Sequence, residues 1–296
     1  MVHPKEYPVI LIGAGPACIT AAIQLKRSNV SFLMIGKDPG GLIANANLIE
    51  NLLGFPKGIS GEKFVSLILT QLKNHSITIL EDEVLAVDYK ESKYFVKTKQ
   101  NQFICKKIII GTGTLPRKMN ISGESLLFEQ RKLFYEIKNT IHIKQPEKWI
   151  IIGSGDAAYD YALNLASRSN HVTVLQRSES SKALPLLINR IQKISQIQVK
   201  CNISVLKLDR KSSNVVLTVS EGHQETLLSA DRVLVAIGRH PNTYFLSNDL
   251  SSKVDDLILQ GSLFMVGDVK NKSFRQVSIA MGDGLWAAMT ILGNFK

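Results

Sequence analysis

Two glycine-rich turns carry the chemistry-bearing pattern of this chain: Ile12-Gly13-Ala14-Gly15-Pro16-Ala17-Cys18 near its start and Ile152-Gly153-Ser154-Gly155-Asp156-Ala157-Ala158 at its middle. Each follows an apolar, β-branched run (8–12 and 149–152) and opens an Ala-rich helical stretch (19–26 and 157–166). In that setting the first glycine permits a tight strand-to-helix turn, and the second lets backbone approach a pyrophosphate. The helix N-terminus adds N–H donors and a partial positive charge. One such turn is weak evidence, but two in the same context imply two bound dinucleotides. The third glycine position holds Ala158 in the second turn, an accepted variant, and the bulkier Cys18 in the first.

Other reactive groups are sparse. Cys18, Cys105 and Cys201 are too widely spaced for a disulfide framework or a metal cluster and are expected as small buried hydrophobes. Lys and Arg outnumber Asp and Glu by 36 to 25, a net charge of +11, and such an excess draws acidic partners. No basic stretch is interleaved with aromatics, so nucleic-acid binding is not expected. No apolar run nears the roughly 20 residues of a membrane span, and the first residues lack a signal-peptide pattern, so the expected location is cytoplasmic. A hydrophobic content of 45% with 21% charge is that of a folded chain, and 296 residues suggest about two domains.

The elements that would position the turns form two parallel series. The first has strands at 9–12 and 30–35, a helix at 62–74, strands at 78–80, 84–89, 94–98 and 103–110, and closes at Gly111-Thr112-Gly113. The second has strands at 149–152, 172–175, 199–209 and 215–219, then an apolar run 232–237 ending at Gly238. The remainder offers one more strand-to-Gly-Asp turn at 263–268 and an apolar helix at 277–292. It is too short for a third domain and is expected to complete the first. The predicted fold is α/β: two doubly wound, Rossmann-like dinucleotide domains, one of residues 1–115 and 243–296, the other, 116–242, inserted in it.

The order of Gly-Ala-Gly-Pro-Ala (13–17), Gly-Gly-Leu-Ile (40–43), Ile-Glu-Asn-Leu-Leu-Gly-Phe-Pro (49–56), Gly-Ile-Ser-Gly (58–61), Gly-Thr-Gly (111–113), Gly-Ser-Gly-Asp-Ala-Ala (153–158), Ala-Ile-Gly-Arg-His-Pro-Asn-Thr (236–243), Val-Gly-Asp (266–268) and Arg-Gln-Val (275–277) resembles the low-molecular-weight thioredoxin reductases over essentially the whole chain. These are FAD enzymes with an inserted NADPH domain. The resemblance implies that Gly13, Gly15, Pro16 and Ala17 hold the FAD pyrophosphate and that Gly40, Gly41, Leu42 and Asn51 line the flavin. Gly113, Gly267, Asp268, Arg275, Gln276 and Val277 would close over the ribityl chain and ring edge. Gly36, Lys37 and Val84 complete the expected FAD set. For NADPH the expected set is Gly153, Gly155, Asp156, Ala157, Arg177, Lys182, Ile237, Gly238 and Arg239.

Three departures qualify the resemblance. After Met34-Ile35 stands Gly36-Lys37, where a dinucleotide fold commonly has an acid for the adenosine ribose. At 176–183, Arg177 and Lys182 keep two cations of the NADPH-specific pattern, Ser178 replaces a third, and no acid stands at Gln176, so NADPH is expected with NADH as the rival. Glu136 and Asn139 occupy the positions of the redox Cys-x-x-Cys, and neither a carboxylate nor an amide can exchange with a disulfide. A sister branch without those cysteines, the thioredoxin-reductase-type ferredoxin-NADP reductases, resembles the stretch 155–163, although this sequence shows no C-terminal extension like theirs.

The expected reaction is hydride transfer from NADPH to flavin and electron transfer to an acidic carrier, ferredoxin or flavodoxin, with no obligatory side-chain acid or base. A thioredoxin-reductase-like disulfide reductase or an oxidase working without an internal dithiol is one alternative. A non-catalytic flavoprotein is another. Relatives of this kind are homodimers.

Overall fold

A computed structural model describes residues 4–222 and 224–293. Residues 1–3 and 294–296, at the outer ends of the first expected domain, lie outside the described residues. The chain divides into two units: one of residues 1–44, 49–115 and 240–296, and another of 45–48 and 116–239.

The first unit is built on a sheet in which strand Lys5–Ile12 lies between Phe32–Ile35 and Gln102–Ile110, all parallel. Continuous β-branched runs such as Ile108-Ile109-Ile110, fully buried, suit a strand covered on both faces. Strand Leu263–Met265 pairs parallel with the far end of Gln102–Ile110, so the C-terminal segment does return to this sheet. The hairpin Val84–Lys90 and Lys93–Thr98 adds antiparallel strands to the near end. Helices Pro16–Arg27 and Val277–Gly293 cross at small residues, and a Cβ at Gly284 would strike the carbonyl oxygen of Ala17.

The second unit repeats the plan with a parallel sheet in the order Ile197–Lys200, His171–Leu175, Lys148–Ile152, Arg232–Val235, Leu133–Phe134. Helix Asp156–Ala166 covers one face through Tyr159, Ala162 and Leu165. A three-stranded antiparallel sheet, Ile203–Lys211, Asn214–Glu221 and Gln224–Ala230, packs on the other through Leu208, Val215 and Leu217.

Two expected elements change, and one strand was not expected. The run 78–80 is not a strand and makes only an isolated bridge from Leu80 to Ile35. The strand at 199–209 is two, because Asn202 takes a left-handed φ of 58° that turns the chain. Gln224–Ala230 went unseen because it is an edge strand with almost all of its side chains exposed, leaving no alternating pattern to read. No described helix is long and apolar enough to cross a membrane.

Candidate cofactor turns and the redox position

The two turns have the same construction. Gly13 has φ 122°, its N–H donates to Ile35 O at 2.8 Å, and a Cβ there would meet the Gly111 carbonyl. Gly153 has φ 155°, its N–H donates to Leu175 O at 3.0 Å, and a Cβ there would meet the Ala236 carbonyl. Each first glycine is thus wedged between two strand ends, where a side chain is excluded. The second glycines differ in kind: a Cβ on Gly15 or Gly155 would meet nothing within 4 Å. Both are the residue before a helix whose N-terminus has no side-chain cap. Open space over an uncapped helix start is the cradle a pyrophosphate needs, so the residues present fit two dinucleotides.

Around the first turn, Gly40 N–H donates to Ala14 O at 2.7 Å, which lays the Gly40-Gly41-Leu42 turn against it. Asn51 Nδ2 donates to Gln276 Oε1 at 2.8 Å, joining two expected contacts far apart in sequence. Gly113 O accepts from Asn242 N–H at 3.0 Å, and Thr112 Oγ1 donates to Asn242 O at 2.6 Å. Gly267, at φ 73°, donates its N–H to Asp283 Oδ2 at 2.9 Å, and the same carboxylate takes Asn271 Nδ2 at 2.6 Å and Lys270 Nζ at 3.1 Å. Asp283 therefore sets the turn that presents Asp268. It was not foreseen, since a lone acid inside an apolar helix gives no sign of its partner. Arg275, half-buried, and Val277 flank Gln276 at the start of the last helix, while Val84 is a buried strand residue.

Around the second turn, the loop after His171–Leu175 is pinned at both ends. Gln176, only 3% exposed, donates Nε2 to Ser178 O and Glu179 O, each at 3.2 Å, and accepts from Tyr159 Oη at 3.2 Å. An acid could not make those donations, so Gln176 shapes the loop. Lys182 N–H donates to Ser154 O at 2.8 Å, and Leu184 N–H donates to Asp156 Oδ1 at 2.8 Å. Lys182 is thereby brought to the turn; it and Arg177 are exposed cations, and neither forms an ion pair among the described residues. Gly238 O accepts from Arg117 N–H at 2.9 Å, following Ile237 out of strand Arg232–Val235.

Arg239 stands elsewhere. Its Nη1 donates to Glu136 Oε1 at 2.6 Å, with both side chains largely buried, and Glu136 Oε2 accepts from Asn45 Nδ2 at 2.5 Å. Asn45 Oδ1 in turn accepts from Lys138 N–H at 3.1 Å. The turn Ile137–Thr140 is fixed further by Arg168, whose guanidinium donates to Thr140 O and Oγ1. Asn139 is exposed. All three cysteines are free. Burial pushes the Cys18 thiol up to about 12, and raises that of Cys105 as well. Cys201, half-buried, is not the fully buried residue expected, and its Sγ accepts from Gln176 Nε2 at 3.3 Å.

Two nucleotide turns on two doubly wound sheets define a two-dinucleotide oxidoreductase. The chain belongs to the pyridine nucleotide-disulphide oxidoreductase family, which it matches over residues 7–284. It is 26% identical to the thioredoxin reductase of Chlamydia trachomatis, covering 98% of this chain and 97% of that one. It is 29% identical to the thioredoxin reductase of Neurospora crassa, covering 97% and 92%. The crystal structure of T. acidophilum thioredoxin reductase superposes with a TM-score of 0.87 at 25% identity, covering 98% of this chain and 99% of that chain. The protein is an FAD-dependent NAD(P)H oxidoreductase of the thioredoxin-reductase-like family, and its cofactors are FAD and NADPH.

Proposed function

We propose that this chain passes electrons from NADPH through FAD to an external disulfide directly, without an internal dithiol. The reading rests on Glu136 and Asn139 standing where the resemblance puts the redox cysteines, with Glu136 held in an ion pair by Arg239; neither a carboxylate nor an amide can exchange with a disulfide. The disulfide class of acceptor rests on the relatives named above, which are thioredoxin reductases. Residues 1–115 and 243–296 would hold FAD by Gly13, Gly15 and the residues around them. Residues 116–242 would hold NADPH by Gly153, Gly155, Arg177 and Lys182. When bound, the flavin supplies a two-electron acceptor for the nicotinamide hydride. The protein binds and orients, and the buried Cys18 and Cys105, whose thiols burial pushes up, stay out of the reaction.

A second reading, electron delivery to an acidic carrier such as ferredoxin or flavodoxin, is favoured by the net charge of +11. One experiment separates the two. The purified protein is reduced anaerobically with NADPH, and flavin reoxidation is followed on adding oxidised thioredoxin, low-molecular-weight disulfides, ferredoxin, flavodoxin or oxygen. Fast reoxidation by a disulfide, kept when Cys18, Cys105 and Cys201 are all replaced by Ser, is the expected result. Reoxidation only by the acidic carriers moves the function to the second reading.

A further inference from the structure

The first unit lacks an acid at the end of its second strand, yet a carboxylate stands there from another part of the chain. Strand Phe32–Ile35 ends at Gly36, where a Cβ would collide with Ala14 of the first glycine turn. Gly36 N–H donates to Leu80 O at 3.0 Å and Leu80 N–H donates to Met34 O at 2.8 Å, which lays the 80–83 loop along that strand end. At its tip Glu83 Oε2 takes Lys37 Nζ at 2.7 Å and Lys99 Nζ at 2.6 Å, and Oε1 takes Tyr244 Oη at 3.3 Å.

We propose that Glu83 is the acceptor for a ribose hydroxyl of the FAD adenosine, standing in for the acid that a dinucleotide fold commonly has after its second strand. The proposal rests on the reading of the first unit as the FAD unit. A carboxylate offers about four acceptor sites, and the three donors leave one for a hydroxyl. The side chain is 28% exposed, so a ligand on the adjoining turn can reach it. The two lysines hold the carboxyl down to about 2, so it is an ionised acceptor at neutral pH. Asp82 Oδ1 accepts the Glu83 N–H at 2.7 Å and steadies the loop tip.

The test measures equilibrium binding of FAD and of an FAD analogue lacking the adenosine 2′- and 3′-hydroxyls, by flavin fluorescence. The wild-type protein is expected to bind the analogue about tenfold or more weakly, the worth of a charge-assisted hydrogen bond. Glu83→Gln is expected to weaken FAD by a similar factor and to bind the two flavins alike. Equal binding of both by wild type, or undiminished discrimination in Glu83→Gln, overturns the proposal. If Glu83→Gln does not fold, Glu83→Asp, which keeps the charge but draws it back by one methylene, takes its place, with the same loss of discrimination expected and undiminished discrimination overturning the proposal. A protein that takes up no FAD at all defeats the functional reading instead, a separate outcome.

Discussion

The second strands of the two units end alike and then diverge. Gly36 and Gln176 both follow a strand whose last carbonyl accepts from the first turn glycine, and each donates its own N–H to the next parallel segment, at Leu80 and Lys200. Each is followed by a cation. Lys37 is paired with Glu83, whereas Arg177 and Lys182 form no ion pair among the described residues. The same backbone frame thus carries a carboxylate in one unit and cations without an ion pair among the described residues in the other, the difference expected between a site for a plain ribose and one for a 2′-phosphorylated ribose under the proposed assignment. A second contrast is steric. Behind the first turn Cys18 faces Gly111; behind the second Ala158 stands by Gly153 and Ala236 takes the place of Gly111. A Cβ on Gly111 would strike Cys18 Sγ, so the bulk at the third glycine position is absorbed by a strand glycine.

The comparison is broken most severely at the second glycines. Gly15→Val is expected to abolish flavin binding while the fold survives, because its Cβ direction is open; absorbance and a thermal melt measure the two effects separately. Gly155→Val should do the same to NADPH alone, leaving the protein yellow. Next in size, replacing Arg177 and Lys182 by neutral residues should raise the KM for NADPH by about tenfold or more with little change for NADH, since a charged phosphate contact is worth about 1.5–3 kcal/mol. Equal changes would mean these cations do not read the phosphate. Gly111→Ala should cost about 1–3 kcal/mol by overpacking against Cys18, and adding Cys18→Ala should recover most of it, giving the first turn the Ala/Ala pairing of the second. Denaturant melts of the two single variants and the double would show that coupling.

The smallest effect concerns acid. The Glu83 carboxyl titrates near 2 in the fold against an ordinary 4.5, so its contribution to stability is present above about 4.5 and lost as pH falls toward 2. Partial exposure keeps the contribution small. Glu83→Gln should therefore lower stability slightly at neutral pH and flatten its decline over that window, read from melts at a series of pH values.

The turns at 13–18 and 153–158 and the strand–helix order around them were legible because they depend on neighbours in sequence: a glycine that must take a left-handed φ, an apolar run before it and a helix after it. The parallel strands read as continuous apolar runs for the same reason. The edge strand Gln224–Ala230 did not, since an element with little buried face leaves no pattern. The charges that tune the sites were hidden more deeply. Lys37 and Glu83, and Glu136 and Arg239, meet only because parallel strands and their crossovers bring separate segments to one sheet end. The sequence by itself determined where two glycine turns stand between strand and helix and that no cysteine pair stands at 136 and 139. Tertiary structure alone decided which carboxylate answers which cation, because an ion pair depends on a separation of a few ångströms in space and leaves no periodicity along the chain.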